Sequence, residues 1–133
     1  MLLKQKDIQQ VANVMMNMLH TEEIGIINDF YDALVAKDIE KIDDLFKVVL
    51  FDIEDHFSTE EEMMEESRYK NYQVHKNDHN MMREKFEKHH KQWQKFKEPL
   101  EIQEFLETEF KSWIVMHISK WDAETALHLG HSN

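Results

Sequence analysis

Two short stretches of the sequence each place two side chains that could bind a metal ion four residues apart. HFSTE contains His56 and Glu60, and HKNDH contains His75 and His79. On an α-helix, residues four apart lie on the same face, one turn above the other. Imidazole and carboxylate groups together suit iron, copper, zinc or manganese, whereas calcium prefers oxygen ligands. The spacing indicates two halves of one metal site.

The composition indicates that these stretches are helical. The 133 residues include 2 glycines and 1 proline, so few residues favour tight turns or break helices. The length suits one domain with a substantial core, and we expect a single domain over residues 1–133. The sequence therefore predicts an all-α fold.

Four stretches have apolar residues at steps of three and four, the period of an amphipathic helix. They begin near Asp7, near Asp38, after a polar link at 69–71, and at Pro99, and the last one ends at Gly130. Aspartate is a good N-cap, proline favours a first turn and glycine favours a stop. Because short links make successive helices neighbours, we predict an antiparallel up-down-up-down four-helix bundle.

One histidine on each predicted helix lies at the same distance from one end of this bundle. His20 lies about 16 residues before the first link, and the other three lie about 17 residues from their links. At about 1.5 Å per residue, each is roughly 25 Å from the same end. The helices therefore bring four histidines to one level: His20, His56, His79 and His117.

Seven residues form the candidate metal site in the bundle interior. A single histidine on an apolar face is more typical of ordinary core packing. Burying five imidazoles and two carboxylates at one level would be costly without a cation, because buried charges must be paired or bound to a metal. The candidates are His20, His56, Glu60, His75, His79, His117 and Asp122.

The offset between His117 and Asp122 is unusual. The two residues are five apart, which corresponds to about 140° around an ideal helix. Both side chains face the interior only if the helical turn is widened or the aspartate reaches around the helix. A chance amphipathic pattern would not favour this offset.

These motifs resemble those of the hemerythrin family, in particular its single-domain bacterial members. HTEEIGIINDFYDAL, HFSTEEEMM, YKNYQVHKNDH and WIVMHISKWD follow the family pattern H…HxxxE…HxxxH…HxxxxD in order. The resemblance covers a core of about residues 20–127 and all seven candidate ligands. It implies a four-helix bundle around two non-haem iron ions that share an oxo or hydroxo bridge.

The resemblance also implies how the ligands are divided. One iron has three histidines, the other has two, and two carboxylates bridge both. The set of three histidines would be His75, His79 and His117, the set of two would be His20 and His56, and the bridging carboxylates would be Glu60 and Asp122. The resemblance thus implies one free coordination position on the iron with two histidines, where dioxygen would bind reversibly.

An apolar pocket should surround that position, because reversible binding requires water and protons to be kept away. Ile24, Phe57, Trp113 and Ile118 stand at positions that resemble the oxygen pocket of the family. Each also suits ordinary core packing, and the two roles are compatible.

Glu23 departs from the family pattern, which has leucine or isoleucine three residues after the first histidine. On an exposed flank, Glu23 would be a solvated carboxylate without a role. Turned inward, it would occupy the open position as an extra ligand or act as a proton donor with a raised pKa. We expect an internal Glu23 to shorten the lifetime of the oxygenated form.

The N-terminal region also departs from the family. DIQQVANVMMNML replaces the usual arm and contains no helix breaker, so we predict that the first helix begins near Asp7. Its upstream apolar stripe would then point away from the core and suggests a weak homo-oligomer or another partner. A monomer in which the chain bends near Met18 and folds over the bundle end is the alternative. The stripe consists of Ile8, Val11, Met15 and Met18.

Charge and composition argue against several other functions. With 27 acidic and 16 basic side chains, the formal net charge of −11 disfavours nucleic acids and anionic membranes as partners. Without cysteine, the chain forms no disulfide or thiolate metal site. No signal-like or membrane-spanning run is present, and we expect a cytoplasmic protein.

Some acidic and histidine residues are not expected to belong to the metal site. Outside Glu60, the acidic run TEEEMMEE should be a solvated helix face. Four histidines are not expected to be ligands: His89, His90, His128 and His131.

Three functions remain open. The leading one is reversible dioxygen binding for carriage, storage, delivery or sensing, without enzymatic activity. The main alternative is a diiron oxidase or peroxidase with Glu23 as an additional active-site carboxylate, although bundle oxidases rely on more carboxylates and fewer histidines. A helical interaction module with a structural metal is the third, and it would leave the open coordination position unused.

Overall fold

Four antiparallel helical rods form the structure. The computed structural model describes residues 1–130, so His131 lies outside the described residues. The first three rods are α1 (Val14–Ala36), α2 (Ile39–Glu66) and α3 (Tyr72–Phe96), and α4 covers 99–129. Because α1 and α3 each contact α2 and α4, the predicted all-α four-helix bundle is confirmed. In the part of the chain described, none of the helices is long and apolar enough to cross a membrane.

Caps at the helix ends make the link between α1 and α2 short. Lys37 closes α1 in the left-handed conformation, with φ 56°, and its N–H donates to carbonyls in the last turn of α1. Asp38 follows at once, and its carboxylate accepts a hydrogen bond from the backbone N–H of Lys41. Asp38 is therefore the N-cap of α2, as predicted, and the short link makes the two helices antiparallel neighbours.

The rod α4 is continuous and has two widened turns. Its π-helical turns are Leu106–Phe110 and Ile118–Asp122. The second turn lies between His117 and Asp122, so of the two possibilities that their five-residue offset left open, the widened turn is the one that occurs. The first π turn has no counterpart in the sequence predictions. The α-helical segments between and around the two turns are Pro99–Phe105, Lys111–His117 and Ala123–Leu129.

The π turns keep one buried row of side chains on the same side of α4. The row repeats every four residues and consists of Ile102, Leu106, Phe110, Ile114, Ile118, Asp122 and Ala126. On an ideal α-helix, the six steps of this row would rotate it by about 240°. Each π turn takes in about one additional residue and so removes roughly 100° of that rotation. The two turns therefore hold the row against the core along the whole rod.

The prediction that the first helix begins near Asp7 is wrong. It begins at Val14, because the side-chain oxygen of Asn13 accepts a hydrogen bond from the backbone N–H of Met16 and caps the helix. Before this cap, only Gln5–Asp7 forms a short 3-10 turn. Local hydrogen bonding by asparagine thus outweighs the helix-forming residues upstream.

Residues 1–13 form an N-terminal strap that folds back over the bundle. Asn28 anchors its beginning: the side-chain oxygen accepts hydrogen bonds from the backbone N–H groups of Leu2 and Leu3, and the side-chain amide donates to the carbonyl of Leu3. Leu2 and Leu3 are both buried in the hydrophobic core. The strap therefore covers core residues and is held by α1 itself.

The predicted outward apolar stripe is wrong for two of its four residues, Ile8 and Val11. Ile8 is buried and Val11 is half-buried, because the strap turns both toward the bundle. Met15 and Met18 remain on the surface of α1, with exposed fractions of 36% and 54%. The chain folds back as in the alternative interpretation, but the change of direction occurs at Asn13 and not near Met18.

Replacing Asn28 with alanine should detach the beginning of the strap. The variant loses three buried hydrogen bonds, so we expect the free energy of unfolding to fall by about 2–4 kcal/mol. Urea denaturation measures this change, and amide hydrogen exchange should become faster at Leu2 and Leu3. Asp29→Ala, at the neighbouring exposed position, is the control. Equal stability of the two variants would contradict the anchoring role of Asn28.

Candidate metal centre

The structure brings all seven predicted ligands together in the bundle interior. Each is almost fully buried, and the most exposed, His20, has an exposed fraction of 2%. Each of the four rods contributes at least one of them, at one level of the bundle. His20 lies on α1, His56 and Glu60 lie on α2, His75 and His79 lie on α3, and His117 and Asp122 lie on α4.

The seven side chains form two donor groups that share both carboxylates. Within each group, one ligand atom per residue lies within 4.8 Å of the others. We call them the three-histidine group and the two-histidine group. The first contains His75, His79 and His117, the second contains His20 and His56, and both contain Glu60 and Asp122. This division matches the one that the family resemblance implies.

Asp122 presents one carboxylate oxygen to each group. Its Oδ1 atom lies 2.9 Å from Nε2 of His75 and 3.1 Å from Nε2 of His117. Its Oδ2 atom lies 2.8 Å from Nε2 of His20, on the other side. A carboxylate placed in this way can bridge two cations.

Glu60 divides its oxygens in the same manner. Its Oε1 atom lies 3.2 Å from Nε2 of His79, in the three-histidine group. Its Oε2 atom lies 2.7 Å from Nε2 of His56 and 3.5 Å from Nε2 of His20. The two carboxylates therefore form parallel bridges between the groups.

The donor atoms face common centres, as the ligands of a cation do. Asp122 Oδ1 and Glu60 Oε1 are buried, yet among residues 1–130 neither has a hydrogen-bond donor in suitable geometry. Such oxygens are costly to bury unless a cation satisfies them. Ligand atoms about 3 Å apart are also what metal–ligand bonds of about 2.1 Å at right angles produce. This buried nitrogen and oxygen set fits two transition-metal ions such as iron.

The outer nitrogens of the three-histidine group are held by hydrogen bonds. In each ring, Nδ1 faces an acceptor while Nε2 faces the donor atoms of the group. A proton on Nδ1 leaves the lone pair of Nε2 free for a metal ion. The acceptors are Thr125 for His75 at 2.7 Å, Glu61 for His79 at 2.8 Å, and Asp78 for His117 at 2.5 Å.

Sequence reasoning did not identify these three acceptors. The assignment of the acidic run to a solvated face is wrong for Glu61, which has an exposed fraction of 9% and pairs with Arg83 at 2.6 Å. The sequence did contain a signal for the burial of Glu61, because His79 and Arg83 lie four residues apart on α3 and can face one carboxylate of α2. Asp78 and Thr125 offered no comparable pattern.

The outer nitrogens of the two-histidine group are held less firmly. Glu23 is buried, and its Oε1 atom lies 3.2 Å from Nδ1 of His56. The contact is an ion pair without good hydrogen-bond geometry, and Nδ1 of His20 has no hydrogen-bond partner in the described chain. The interpretation of Glu23 as a solvated carboxylate is therefore wrong. Glu23 lies behind His56, on the side away from the shared carboxylates.

The four predicted oxygen-pocket residues belong to the hydrophobic core or pack against it. Ile24, Phe57 and Ile118 are buried, and Trp113 is half-buried. Phe57 stacks on the ring of His79 with a centroid distance of 4.1 Å. Trp113 stacks on His117, another member of the three-histidine group, at 4.5 Å. The aromatic residues therefore cover ligand histidines, and a role in lining an oxygen pocket stays a prediction.

Three further histidines in the described chain lie outside both donor groups. The ring of His89 stacks on Phe105, and the ring of His90 packs at a tilt against Phe46. The exposed His128 contacts the backbone carbonyl of Ser67. The expectation that none of the three is a ligand stays a prediction.

Comparison with known proteins gives the same family as the one that the sequence motifs resemble. A family model described as "Hemerythrin HHE cation binding domain" matches residues 10–126. The chain is 43% identical over 130 residues to a protein named Bacteriohemerythrin from Aquifex aeolicus (strain VF5), a match that covers 98% of this chain and 99% of the relative. No solved structure gave a significant match.

The shared carboxylates strongly affect the protonation of the histidines. Burial alone would lower the pKa of His20, but hydrogen bonds and charges from Asp122 and Glu60 outweigh it and raise that pKa to about 9. Burial likewise opposes the charged form of His117, and Asp122 above all raises its pKa to about 10. At neutral pH, the metal-free protein therefore balances its buried carboxylates with imidazolium ions.

Metal binding should release protons near pH 7. Because His20, His56 and His117 have raised pKa values, all three are protonated in the metal-free protein, and all three must become neutral to bind a cation. We expect about three protons to be released per chain at pH 7, and the affinity to rise with pH up to at least about 9–10. Calorimetric titration of Zn²⁺ in buffers of different ionisation enthalpy measures this number. A heat that is independent of the buffer would contradict the prediction.

Proposed function

Because the chain belongs to the hemerythrin family, we propose that it binds dioxygen reversibly at a non-haem diiron centre. The observation that carries the proposal is the pair of donor groups with two shared carboxylates. A mononuclear site would not need the two oxygens of each carboxylate to face separate sets of histidines. The carboxylates therefore support a site for two ions.

The three-histidine group would hold one iron ion and the two-histidine group the other. Glu60 and Asp122 would be ligands of both ions, and an oxo or hydroxo group would complete the bridge. When bound, the ferrous pair would supply the electrons that hold dioxygen and would take them back when dioxygen leaves unchanged. The two-histidine group provides one donor fewer, so dioxygen has room to bind on that side.

Apolar packing supports reversible binding in preference to one-way chemistry. The side chains of Ile24, Phe57 and Ile118 are nearly inaccessible to solvent, and Trp113 covers the ring of His117. Such packing keeps water and protons away from the reacting atoms, and loss of dioxygen as the unchanged molecule requires this. We therefore assign these four residues to the lining of the dioxygen site.

The enzyme alternative has less support. A diiron oxidase or peroxidase would use Glu23 as an additional active-site carboxylate. Glu23 contacts Nδ1 of His56, whereas Glu60 contacts Nε2 of the same ring. The imidazole therefore separates Glu23 from the shared donor atoms.

Reversible binding is the step that carriage, storage, delivery and sensing of oxygen have in common, and it is the activity that we assign. The strongly acidic chain contains no cysteine, which suits the reducing cytoplasm that we propose as its location.

A cycle of reduction, oxygenation and vacuum tests the assigned activity. The iron-loaded protein, reduced by dithionite without air, should gain a visible absorption band when oxygen is admitted. The same band should disappear under vacuum and return in the next cycle, because the apolar surroundings allow unchanged dioxygen to leave. One-way conversion would support the enzyme alternative, and fewer than about two iron ions per chain would contradict the diiron site.

A histidine variant should link the band to the donor groups. His117→Ala removes one ligand that contacts the shared carboxylate of Asp122, so we expect loss of iron and of the reversible band. His128→Ala removes an exposed histidine outside the donor groups and should retain both. Retention of both iron ions in His117→Ala, measured by metal analysis, would contradict the assignment.

A further inference from the structure

The two donor groups differ in how their outer ring nitrogens are held. Every histidine of the three-histidine group has an acceptor at 2.5–2.8 Å from Nδ1. In the two-histidine group, His20 has no such partner among the described residues, and His56 has only Glu23 at 3.2 Å. On the outer side of the two-histidine group, the carboxylate of Glu23 against His56 is therefore the one contact that holds a ring nitrogen.

Glu23 in turn has the imidazole of His56 as its polar partner. Its exposed fraction is 2%, and the imidazole of His56 is the one basic side chain within ion-pair distance of it among residues 1–130. Burying a carboxylate in such a place is costly unless it interacts with a positive charge or a hydrogen-bond donor. The structure thus couples a residue of α1 to a ring on α2.

We propose that Glu23 is a positioning residue that keeps the proton of His56 on Nδ1 and thereby gives the two-histidine group its affinity for a metal ion. This inference rests on the proposed diiron function. Neutral imidazole carries its proton on either nitrogen, and only the Nδ1–H form leaves Nε2 free to bind metal. A carboxylate beside Nδ1 favours that form and makes the ring a stronger ligand.

The inference assigns an order to metal binding. The three-histidine group provides five donors, and its histidines are already oriented by hydrogen bonds. The two-histidine group provides four donors and is oriented mainly by Glu23. The first metal ion therefore enters the three-histidine group, and Glu23 sets the affinity for the second.

Zinc titration of the metal-free full-length chain tests this role without oxygen chemistry. In Glu23→Leu, the second Zn²⁺ should bind about 10- to 100-fold more weakly, while the first binds as in the wild type. Glu23→Gln keeps an acceptor oxygen but loses the charge, so its affinity for the second Zn²⁺ should lie between those of the wild type and Glu23→Leu. Glu22→Leu makes the same change at the adjacent exposed position and should bind both ions normally.

Nuclear magnetic resonance of the zinc-loaded protein provides a second measurement, because Zn²⁺ is diamagnetic. The imidazole ¹⁵N shifts of His56 should indicate a protonated Nδ1 and a metal-bound Nε2 in the wild type. In Glu23→Leu, these shifts should change, whereas the shifts of His75, His79 and His117 should not.

Three results would overturn the proposal. The first is that Glu23→Leu binds both zinc ions as tightly as the wild type. The second is that this variant binds both ions equally more weakly, which indicates a merely structural role. The third is that it binds only the second ion more weakly while the imidazole shifts of His56 stay unchanged. Failure of the proposed function is a separate result. If the iron-loaded wild type shows no reversible band but the second Zn²⁺ depends on Glu23, the diiron carrier is wrong and the positioning role stands.

Discussion

The structure depends on two carboxylates buried at the middle of four helices. Glu60 and Asp122 have exposed fractions of 0%, so positive charge must lie beside them, either on imidazolium rings or on cations. Five histidines provide the inner layer of that charge balance. Glu23, Glu61 and Asp78 provide an outer layer of negative charge behind three of the rings. Each helix must keep its register within a fraction of a turn, because a ring moved along its helix would lose contact with both layers.

The rod α4 meets this requirement by departing from regular α-helix. It must present His117 and Asp122 to the same centre and also keep an apolar row against the other rods. The π turn at Ile118–Asp122 brings His117 and Asp122 to the same centre. Together with the π turn at Leu106–Phe110, it also keeps the apolar row against the other rods. A rod with ideal geometry would have turned part of that row toward solvent. Helical irregularity is therefore part of how this bundle forms its centre.

The sequence was sufficient for features that repeat, and insufficient for those that depend on a single contact. Four amphipathic periods and four histidines at one level predicted the bundle and its centre, because both follow from residue spacing alone. The start of the first helix depended on one asparagine cap, Asn13, which competed with favourable helix propensity. Glu61 looked like a surface residue, because its burial requires His79 and Arg83 from another helix. The π turn at Leu106–Phe110 had a signal in hindsight, since apolar residues four apart over several turns do not stay on one face of an α-helix.

The same two π turns also straighten the outer surface of α4. Six exposed residues form a second row with the four-residue repeat: Glu104, Thr108, Ser112, Met116, Lys120 and Glu124. Successive members are about 6 Å apart along the rod axis. The chain contains no cysteine, so a thiol introduced at any of these positions would be unique. Spin labels or fluorophores attached there one at a time would form a linear ruler of known spacing, graded in distance from the buried iron pair.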